Sequence, residues 1–321
     1  MTVELRCAFG SYGHTAAIID GELSISGFEL NCVQNGSIVS AYREMARSAS
    51  FDVCEMGPVS YLAARAAGTP LIALPIFTFR RFHHGAVVCR ADSAISGPAD
   101  LESQAVGVRA YSVTSAVWAR GLWSHDYGAN LSKISWLTDD EENADSLSLP
   151  ANVRRVADGD SVRAAFARGD AVASFTGVAG LGRTGPPSGS WATGAAAGDI
   201  GDTRELIANW QEAEADWYAR TGIYPLHGMV VMRAETADRH PELPSALLEV
   251  FDTSKRDYLS RFDPAEDEPL ARNMTIVGPD PLPYGLEQNK LSIEALLKNS
   301  VEQGLAPSDQ SIGELFLDVT I

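Results

Sequence analysis

Short apolar segments alternate with helical segments at the start of the chain, and this alternation restricts the chain to an α/β fold. Strands are expected at 3–9, 28–33 and 51–55, and helices at 15–20, 37–49 and 58–67. Strands that alternate with helices form a largely parallel sheet with helices packed on its faces.

The same alternation begins again in the second hundred residues, and a chain of 321 residues is long enough for two lobes. Lobe 1 is expected to comprise residues 1–91 and 228–321, and lobe 2 residues 92–227. Two inter-lobe crossings, one near 85–92 and one near 226–233, would carry the chain from one lobe to the other. The predicted architecture is a two-lobe α/β clamshell with two inter-lobe crossover strands and a ligand in the cleft.

The chain is strongly acidic, with a formal net charge of −17 and a pI near 4.7. This balance argues against partners such as nucleic acid or an anionic membrane. The first residues show no basic segment followed by an apolar one, and no membrane span follows, so a cytoplasmic location is expected. The four cysteines show no CxxC spacing and are expected to be buried free thiols.

A dense cationic segment, Arg80-Arg81-Phe82-His83-His84, stands against this acidic trend. It lies between the apolar runs 71–77 and 86–89. Guanidinium and imidazole groups held between buried strands predict a pocket for a small anion, and a carboxylate suits them best. A solvated turn with ordinary side chains is the alternative.

A second candidate is the hydroxyl-rich turn at 111–115, which joins a strand at 105–108 to a helix through Trp118. Such a turn directs backbone N–H groups and the hydroxyls of Ser112 and Thr114 toward a ligand. A simple helix cap is the alternative, and Trp118 at this helical spacing is either a core residue or a stacking surface for a ring.

Two other segments are expected to be loops. Residues 139–145 are rich in carboxylates and are predicted to form an acidic, solvated loop. Residues 177–201 are rich in Gly, Ala, Ser and Pro and are predicted to form a long loop.

Five motifs, taken together, resemble the 4,5-dihydroxyphthalate decarboxylase family. They are Phe51-Asp52-Val53-Cys54-Glu55-Met56 with Ser60-Tyr61-Leu62, Pro75-x-Phe77-x-x-Arg80-x-Phe82-x-His84, Val117-Trp118-Ala119-Arg120-Gly121, Thr221-Gly222-Ile223-Tyr224-Pro225, and Leu282-Pro283-Tyr284-Gly285-Leu286-Glu287-x-Asn289. Their order and spacing agree with the family over nearly the whole chain. The resemblance implies a type 2 periplasmic-binding-protein-like fold, used by intracellular enzymes, and the non-oxidative loss of carbon dioxide from a hydroxylated aromatic acid.

The chain departs from the family pattern in three turns. The family's Gly-Asp-Tyr-Asp-Arg-Thr is Gly10-Ser11-Tyr12-Gly13-His14-Thr15 here, and its Phe-Arg-His-Ser is Phe82-His83-His84-Gly85. Its Met-His after the Thr-Gly-Ile-Tyr-Pro run is replaced by His227-Gly228, which moves the imidazole by one position and, in a strand, to the other face. All three turns are expected at the ligand site, so these changes bear on the substrate.

Decarboxylation of a hydroxybenzoate needs no cofactor, because the ring accepts a proton at the carbon that carries the carboxylate. Arg80 is the candidate clamp for the substrate's carboxylate. His84, His14 and Glu55 are the candidate proton donors, Glu55 through a pKa raised by apolar surroundings. The other candidate contacts with substrate are Tyr12, His83, Ser112, Thr114, Trp118, His227 and Tyr284.

Each assignment has a structural alternative. Arg80 pairs with a structural carboxylate, His84 is a core histidine, and Glu55 caps the helix that begins near Pro58. A metal site made of His83, His84 and Glu55 is disfavoured, because adjacent histidines on a strand point to opposite faces.

Three functions compete at this point. The first is a cofactor-independent decarboxylase whose partner is a small aromatic carboxylate, with a homo-oligomer as a possible state. The second is a solute-binding protein that closes on an organic anion without chemistry. The third is another carboxylate lyase of the same fold, such as a dehydratase that releases water rather than carbon dioxide.

Overall fold

The computed structural model describes residues 2–33, 38–182 and 199–320. These residues form two compact units. Unit 1 comprises residues 1–81, 222–295 and 307–321, and unit 2 comprises residues 82–221 and 296–306.

The described strands, in chain order, are β1 (Val3–Ala8), β2 (Phe28–Cys32), β3 (Val53–Met56), β4 (Leu71–Ala73), β5 (Phe79–Arg80), β6 (Val87–Arg90), β7 (Ala105–Val108), β8 (Ser135–Thr138), β9 (Val153–Arg155), β10 (Ala173–Phe175), β11 (Thr203–Glu205) and β12 (Leu226–Arg233). The described α-helices are α1 (Ala16–Ile19), α2 (Ile38–Ser48), α3 (Pro58–Ala66), α4 (Thr114–His125), α5 (Val162–Arg168), α6 (Trp210–Thr221), α7 (Ala234–Arg239), α8 (Leu243–Ser260), α9 (Glu268–Val277), α10 (Leu286–Glu302) and α11 (Ile312–Leu315).

The sheet of unit 1 has the strand order β2-β1-β3-β12-β4, and β5 pairs with β12. Strand β1 runs parallel to β2 and β3, whereas β12 runs antiparallel to β3 and β4. The apolar side chains of β1, β3 and β12 pack with those of α8, among them Cys7, Val53, Val230 and Phe251. This core fixes the strand ends around which the candidate site is built.

The sheet of unit 2 has the strand order β11-β6-β10-β7-β8-β9. Strands β7, β8, β9 and β10 are parallel, and β6 runs antiparallel to β10 and β11. Large aromatic side chains are fully buried in this unit, including Trp123, Trp136, Phe166 and Phe175. The parallel strands with helices between them bear out the expected α/β layering.

The two units differ in their bounds from the expected lobes. Residues 82–91 belong to unit 2, because β6 pairs with β10 and β11 rather than with the first sheet. Residues 222–227 belong to unit 1, where β12 begins at Leu226 and pairs with β5. Residues 296–306, in the expected C-terminal part of lobe 1, belong to unit 2.

The acidic segment at 139–145 was predicted to be solvated, and this was wrong for its first residues. Asp139 and Asp140 are both buried. Asp140 forms an ion pair of 2.9 Å with Arg109, and Asp139 accepts a hydrogen bond of 2.8 Å from the backbone N–H of Val162 at the start of α5. A guanidinium and a helix N-terminus therefore compensate the carboxylates that the sequence pattern assigned to solvent.

Two other expectations concern loops and thiols. Of the predicted loop at 177–201, residues 183–198 lie outside the described residues, and residues 177–179 form a short 3-10 turn. All four cysteines are free thiols; Cys32 is half-buried and Cys7, Cys54 and Cys89 are buried. Within the described residues, none of the helices is long and apolar enough to span a membrane.

Candidate active site

Glu55 is a fully buried carboxyl group with three hydrogen-bond donors, and it is the centre of the candidate site. The backbone N–H of Gly10 donates to Oε2 at 3.0 Å. The hydroxyls of Tyr12 and Tyr42 both donate to Oε1, at 2.9 and 2.5 Å. The relative exposure of Glu55 is 0%, so these groups replace the water that a carboxyl group normally binds.

The topology of unit 1 explains why these groups meet. Glu55 lies in β3, and the turn that carries Gly10 and Tyr12 follows β1, the parallel neighbour of β3. The ends of parallel strands meet at one edge of the sheet. The Thr15 hydroxyl holds this turn in shape, because it donates to the carbonyl of Gly10 at 2.6 Å and accepts from the N–H of Tyr12 at 3.0 Å.

Tyr42 reaches the same carboxyl from α2, which packs against β3. Sequence analysis predicted the helix at 37–49 that carries Tyr42 but did not assign Tyr42 to the site. The available signal was its place on the face of a helix that follows a strand, which also describes many core tyrosines. Its partner depends on tertiary packing, which periodicity does not specify.

Gly228 of β12 leaves room for the carboxyl group. A Cβ atom at this position would lie 2.8 Å from Oε1 of Glu55 and 2.8 Å from the hydroxyl oxygen of Thr78. Both distances are too short for a carbon atom, so any larger residue at 228 would displace the carboxyl or the hydroxyl. The glycine is therefore part of the site's geometry.

The protonation of Glu55 is governed by its burial. Burial raises the pKa of Glu55 above its usual value, and the hydrogen bonds from Tyr42, the Gly10 N–H and Tyr12, with a smaller effect of the Thr78 hydroxyl, oppose this rise without cancelling it. Burial and the nearby carboxyl also raise the pKa of both Tyr12 and Tyr42, so both phenols remain neutral donors.

A stack of rings continues from Tyr12. The His14 and Phe79 rings each stack with the Tyr12 ring. Their centroids lie 5.3 and 5.6 Å from that of Tyr12, and the interplanar angle is 5° in each case. His227 meets Phe79 edge-on at 5.1 Å, and the Arg81 guanidinium lies 5.9 Å from the Phe79 centroid. Burial raises the pKa of Tyr12, and the positive charge of Arg81 opposes part of this rise. Burial lowers the pKa of His227, and the charge of Arg81 lowers it further.

His14 is a poor proton donor in this arrangement. Its Nε2 lies 2.9 Å from the carbonyl oxygen of Thr78, which can only accept, so Nε2 carries the proton. Burial lowers the pKa of His14 to about 4, which leaves the ring neutral near pH 7. The one proton of the neutral ring is therefore already donated to Thr78.

Arg80 takes a structural position rather than that of an open clamp. Its guanidinium donates to Oδ1 of Asn289 at 2.5 Å, to the hydroxyl of Ser292 at 3.2 Å and to the carbonyl of Tyr224. It also stacks over the Tyr224 ring at 4.4 Å. These bonds connect β5 to α10 and occupy both terminal nitrogens, so a two-point grip on a substrate carboxylate would require breaking them.

His83 and His84 are both buried in unit 2. His84 packs edge-on against Trp217 at 5.6 Å, and burial lowers its pKa to about 4. Trp217 in turn donates to Asp126 at 3.1 Å. This environment is that of a histidine in an aromatic core, the alternative that sequence analysis left open.

The turn after β7 holds an anion, and that anion belongs to the chain itself. The Glu142 carboxylate accepts hydrogen bonds from the N–H of Tyr111 at 2.7 Å, from the N–H of Ser112 at 2.9 Å and from the Ser112 hydroxyl. Sequence analysis predicted that this turn directs its donors toward a ligand, whereas in the structure they are bonded to Glu142. Thr114 and Trp118 are buried in the first turns of α4.

Tyr284 precedes α10 and lies inside unit 1. Its ring faces the Lys255 ammonium at 4.2 Å, and its buried hydroxyl has no hydrogen-bond partner among the described residues. Lys255 is itself held by Asp280 at 2.9 Å. In the described part of the chain, no three His, Cys, Asp or Glu side chains come together as metal ligands would.

Comparison with known proteins places the chain in a family. It is 30% identical to the 4,5-dihydroxyphthalate decarboxylase of Comamonas testosteroni over an alignment 333 positions long, which covers 98% of this chain and 96% of the relative. The chain belongs to the 4,5-dihydroxyphthalate decarboxylase family. The decarboxylase of the same name from Pseudomonas putida is 33% identical over 157 residues, 47% of this chain and 60% of that protein. No family model matches the chain.

The fold of this family member resembles that of a solved transport protein. The periplasmic aliphatic sulphonate-binding protein SsuA of Escherichia coli superimposes with a TM-score of 0.57 at 17% identity, covering 98% of each chain. This confirms the predicted type 2 periplasmic-binding-protein-like class. At this identity the likeness concerns the fold alone, because one fold hosts many functions.

One departure from the dihydroxyphthalate decarboxylase pattern has a visible cause in the packing. The family's first turn typically has an aspartate where this chain has Gly13. A Cβ atom at Gly13 would lie 2.1 Å from the Tyr258 ring. In this chain Tyr258 therefore fills the space that a side chain at position 13 would need.

Proposed function

We propose that this protein is a cofactor-independent decarboxylase of a hydroxylated aromatic carboxylic acid, such as a dihydroxyphthalate-like compound. The family relationship supports the reaction class. The observation that carries the proposal is the fully buried Glu55, held by neutral donors with its pKa raised. A carboxyl group in such surroundings can remain protonated near neutral pH and act as a general acid.

The reaction needs a proton at one ring carbon and stabilisation of the charge that this transfer leaves behind. A hydroxyl ortho or para to the carboxylate lets the ring accept a proton at the carboxyl-bearing carbon. The bond from that carbon to the carboxylate then breaks, carbon dioxide leaves, and the ring becomes aromatic again. Glu55 supplies the proton in this scheme, and Tyr12 and Tyr42 stabilise the carboxylate that remains.

Binding of the anionic substrate requires a cation close to Glu55. We assign this role to Arg81, because its guanidinium lies 5.9 Å from the centroid of the Phe79 ring, which stacks on Tyr12. The charge of Arg81 acts on Tyr12, which touches Glu55, and on His227. A guanidinium at this place would attract a carboxylate and lower the cost of bringing it to an acidic protein.

The test is a thermal-shift screen over hydroxylated benzoates and phthalates, with carbon dioxide release measured for each compound that stabilises the protein. Stabilisation with release of carbon dioxide supports the proposal and identifies the substrate. Stabilisation by several acids without carbon dioxide release contradicts it and favours a solute-binding protein. Release of water instead, from a non-aromatic cyclic acid, favours a dehydratase.

A further inference from the structure

The two tyrosines on Glu55 share one of its oxygens. Tyr12 and Tyr42 both donate to Oε1, whereas Oε2 receives only the N–H of Gly10 in the described contacts. A carbonyl oxygen has two lone pairs, and two phenol donors fill both of them. Oε2 retains a position for a proton, because one N–H bond leaves its second lone pair open.

The groups that face Glu55 on the surrounding elements are neutral. Tyr42 lies on α2, Tyr12 and the Gly10 N–H lie on the turn after β1, the Thr78 hydroxyl follows β4, and Gly228, which has no side chain, lies on β12. Among the described residues, two cations lie near the tyrosines that surround this carboxyl group. The charge of Arg81 acts on Tyr12, and Lys255 of α8 is bound to Asp280 and Asp252.

An ionised Glu55 would therefore be a fully buried charge without a cation bonded to it. Neutralisation is the usual outcome for a carboxyl group in that situation. The hydrogen bonds from Tyr42 and Tyr12 act in the opposite sense, because they lower the pKa of Glu55, but burial is the larger effect. The balance of the two therefore leaves the pKa of Glu55 raised and favours the neutral acid.

We propose that Glu55 rests as a neutral acid with Oε1 as its carbonyl oxygen and Oε2 as its hydroxyl oxygen, and that Tyr42 is a positioning residue that fixes this arrangement. The use of that proton in catalysis rests on the proposed function. The arrangement itself is a property of the unliganded protein and can be measured without turnover.

In the proposed step, one proton moves from Glu55 to the substrate and one molecule of carbon dioxide leaves. The Oε2–H bond of Glu55 breaks and its proton forms a C–H bond at the carboxyl-bearing carbon. The bond from that carbon to the carboxylate breaks, and its electron pair returns to the ring as carbon dioxide leaves. Glu55 is left as a carboxylate with three donors on it, and a proton from solvent restores the acid after the product departs.

The first experiment is infrared difference spectroscopy of the wild-type protein against Glu55→Gln. Glutamine retains the shape of the carboxyl group, and its amide can bond to both phenol oxygens and to the Gly10 N–H. We expect the wild type at pH 7 to show the C=O stretching band of a protonated carboxyl group, absent from the variant. A spectrum with only the carboxylate bands of an ionised Glu55 overturns the inference.

The second experiment tests Tyr42 itself. In Tyr42→Phe, Oε1 loses one donor, so its C=O band moves to higher frequency and the pH at which the band disappears rises. Tyr61→Phe is the matched control, because Tyr61 is a buried tyrosine whose hydroxyl bonds to the carbonyl of Leu315 and the N–H of Ala73. It leaves the band unchanged. A band that Tyr42→Phe does not move overturns the positioning role, and Tyr12→Phe checks the same oxygen independently.

Kinetics then separate this inference from the proposed function. If the protein is a decarboxylase, Tyr42→Phe lowers kcat about tenfold or more and moves the basic limb of its pH profile upward, because hydrogen bonds to a developing charge are strong. A protonated Glu55 band in a protein that releases carbon dioxide from none of the acids supports the inference and contradicts the function. An unshifted pH profile with full kcat overturns the role of Tyr42.

Discussion

The Tyr42 hydroxyl donates a hydrogen bond to Oε1 of Glu55, so helix α2 supplies a donor to the candidate catalytic acid. The contact connects α2 to β3, which are adjacent along the chain and in space. Together with Tyr12 it converts a buried carboxyl group into the centre of a hydrogen-bonded cluster. The predictions below separate this cluster from residues whose role is structural.

Substitution of Arg80 should lower stability, whereas substitution of Arg81 should weaken substrate binding. Arg80→Ala removes the guanidinium that donates to Asn289 and to the carbonyl of Tyr224, and it should reduce the free energy of unfolding by about 2–5 kcal/mol. Arg81→Ala should instead raise KM for an aromatic carboxylate about tenfold or more, because it removes a cation that acts on Tyr12. Urea unfolding and steady-state kinetics of both variants measure these effects. A stable Arg80→Ala protein with the raised KM would restore Arg80 as the clamp.

The pKa of His84 makes stability depend on pH. It lies at about 4 in the folded protein, against 6.5 ordinarily, so between these values the unfolded chain binds a proton that the folded chain does not. The free energy of unfolding should therefore fall as pH falls through this window, by about 3 kcal/mol from this residue. His84→Phe, which can still pack on Trp217, should flatten the acid side of a plot of unfolding free energy against pH.

Leu149 offers the control for that measurement, because it is exposed in unit 2 and carries no titratable group. Leu149→Phe adds the same ring at the surface and should retain the wild-type loss of stability at low pH. Identical profiles for the wild type and His84→Phe would show that His84 is not buried as described.

Glu142 is expected to hold the first turn of α4 in place. Glu142→Ala removes the acceptor from the N–H groups of Tyr111 and Ser112, at a cost of about 1–3 kcal/mol in unfolding free energy. Hydrogen exchange of these two amides should become faster. Asp158→Ala removes an exposed carboxylate of unit 2 and should leave both amides protected; equal exchange in the two variants would contradict the role of Glu142.

A methyl group at position 228 should disturb the candidate site. In Gly228→Ala the new carbon would lie within 2.8 Å of Oε1 of Glu55, so the carboxyl must move and turnover should fall with stability lowered by about 1–3 kcal/mol. Gly97→Ala is the control, because Gly97 has extended backbone and open space around it. A fully active Gly228→Ala protein would mean that the carboxyl position is not critical.

The alternation of strands and helices was sufficient to predict the α/β class, because hydrophobic periodicity is a local property of the chain. The family motifs added the binding-protein-like fold, which the likeness to SsuA confirms. The boundaries of the two units could not be predicted from local pattern. β6 and β12 are apolar strands of the same kind, and only their pairing shows that β6 belongs to unit 2 and β12 to unit 1.

Local sequence pattern could not predict which side chains contact each other in the folded chain. Arg80 has the sequence context of an anion clamp, but its acceptors Asn289 and Ser292 lie more than two hundred residues away along the chain. The sequence pattern predicts Asp139 and Asp140 to be solvated, because their partners, the start of α5 and Arg109, come close only in the folded chain. Glu55 was identified because its apolar neighbours in β3 already indicate burial, and burial alone raises its pKa.

The most direct test of the account compares wild type and Glu55→Gln with 4,5-dihydroxyphthalate at saturating concentration. The measured quantity is the rate of carbon dioxide release, with ligand binding checked by thermal shift. We predict that the wild type releases carbon dioxide and that the variant still binds but reacts about 10²–10⁴-fold more slowly, the usual contribution of a general acid. Carbon dioxide release by Glu55→Gln at the wild-type rate, or none from a wild type that binds the acid, would contradict the account.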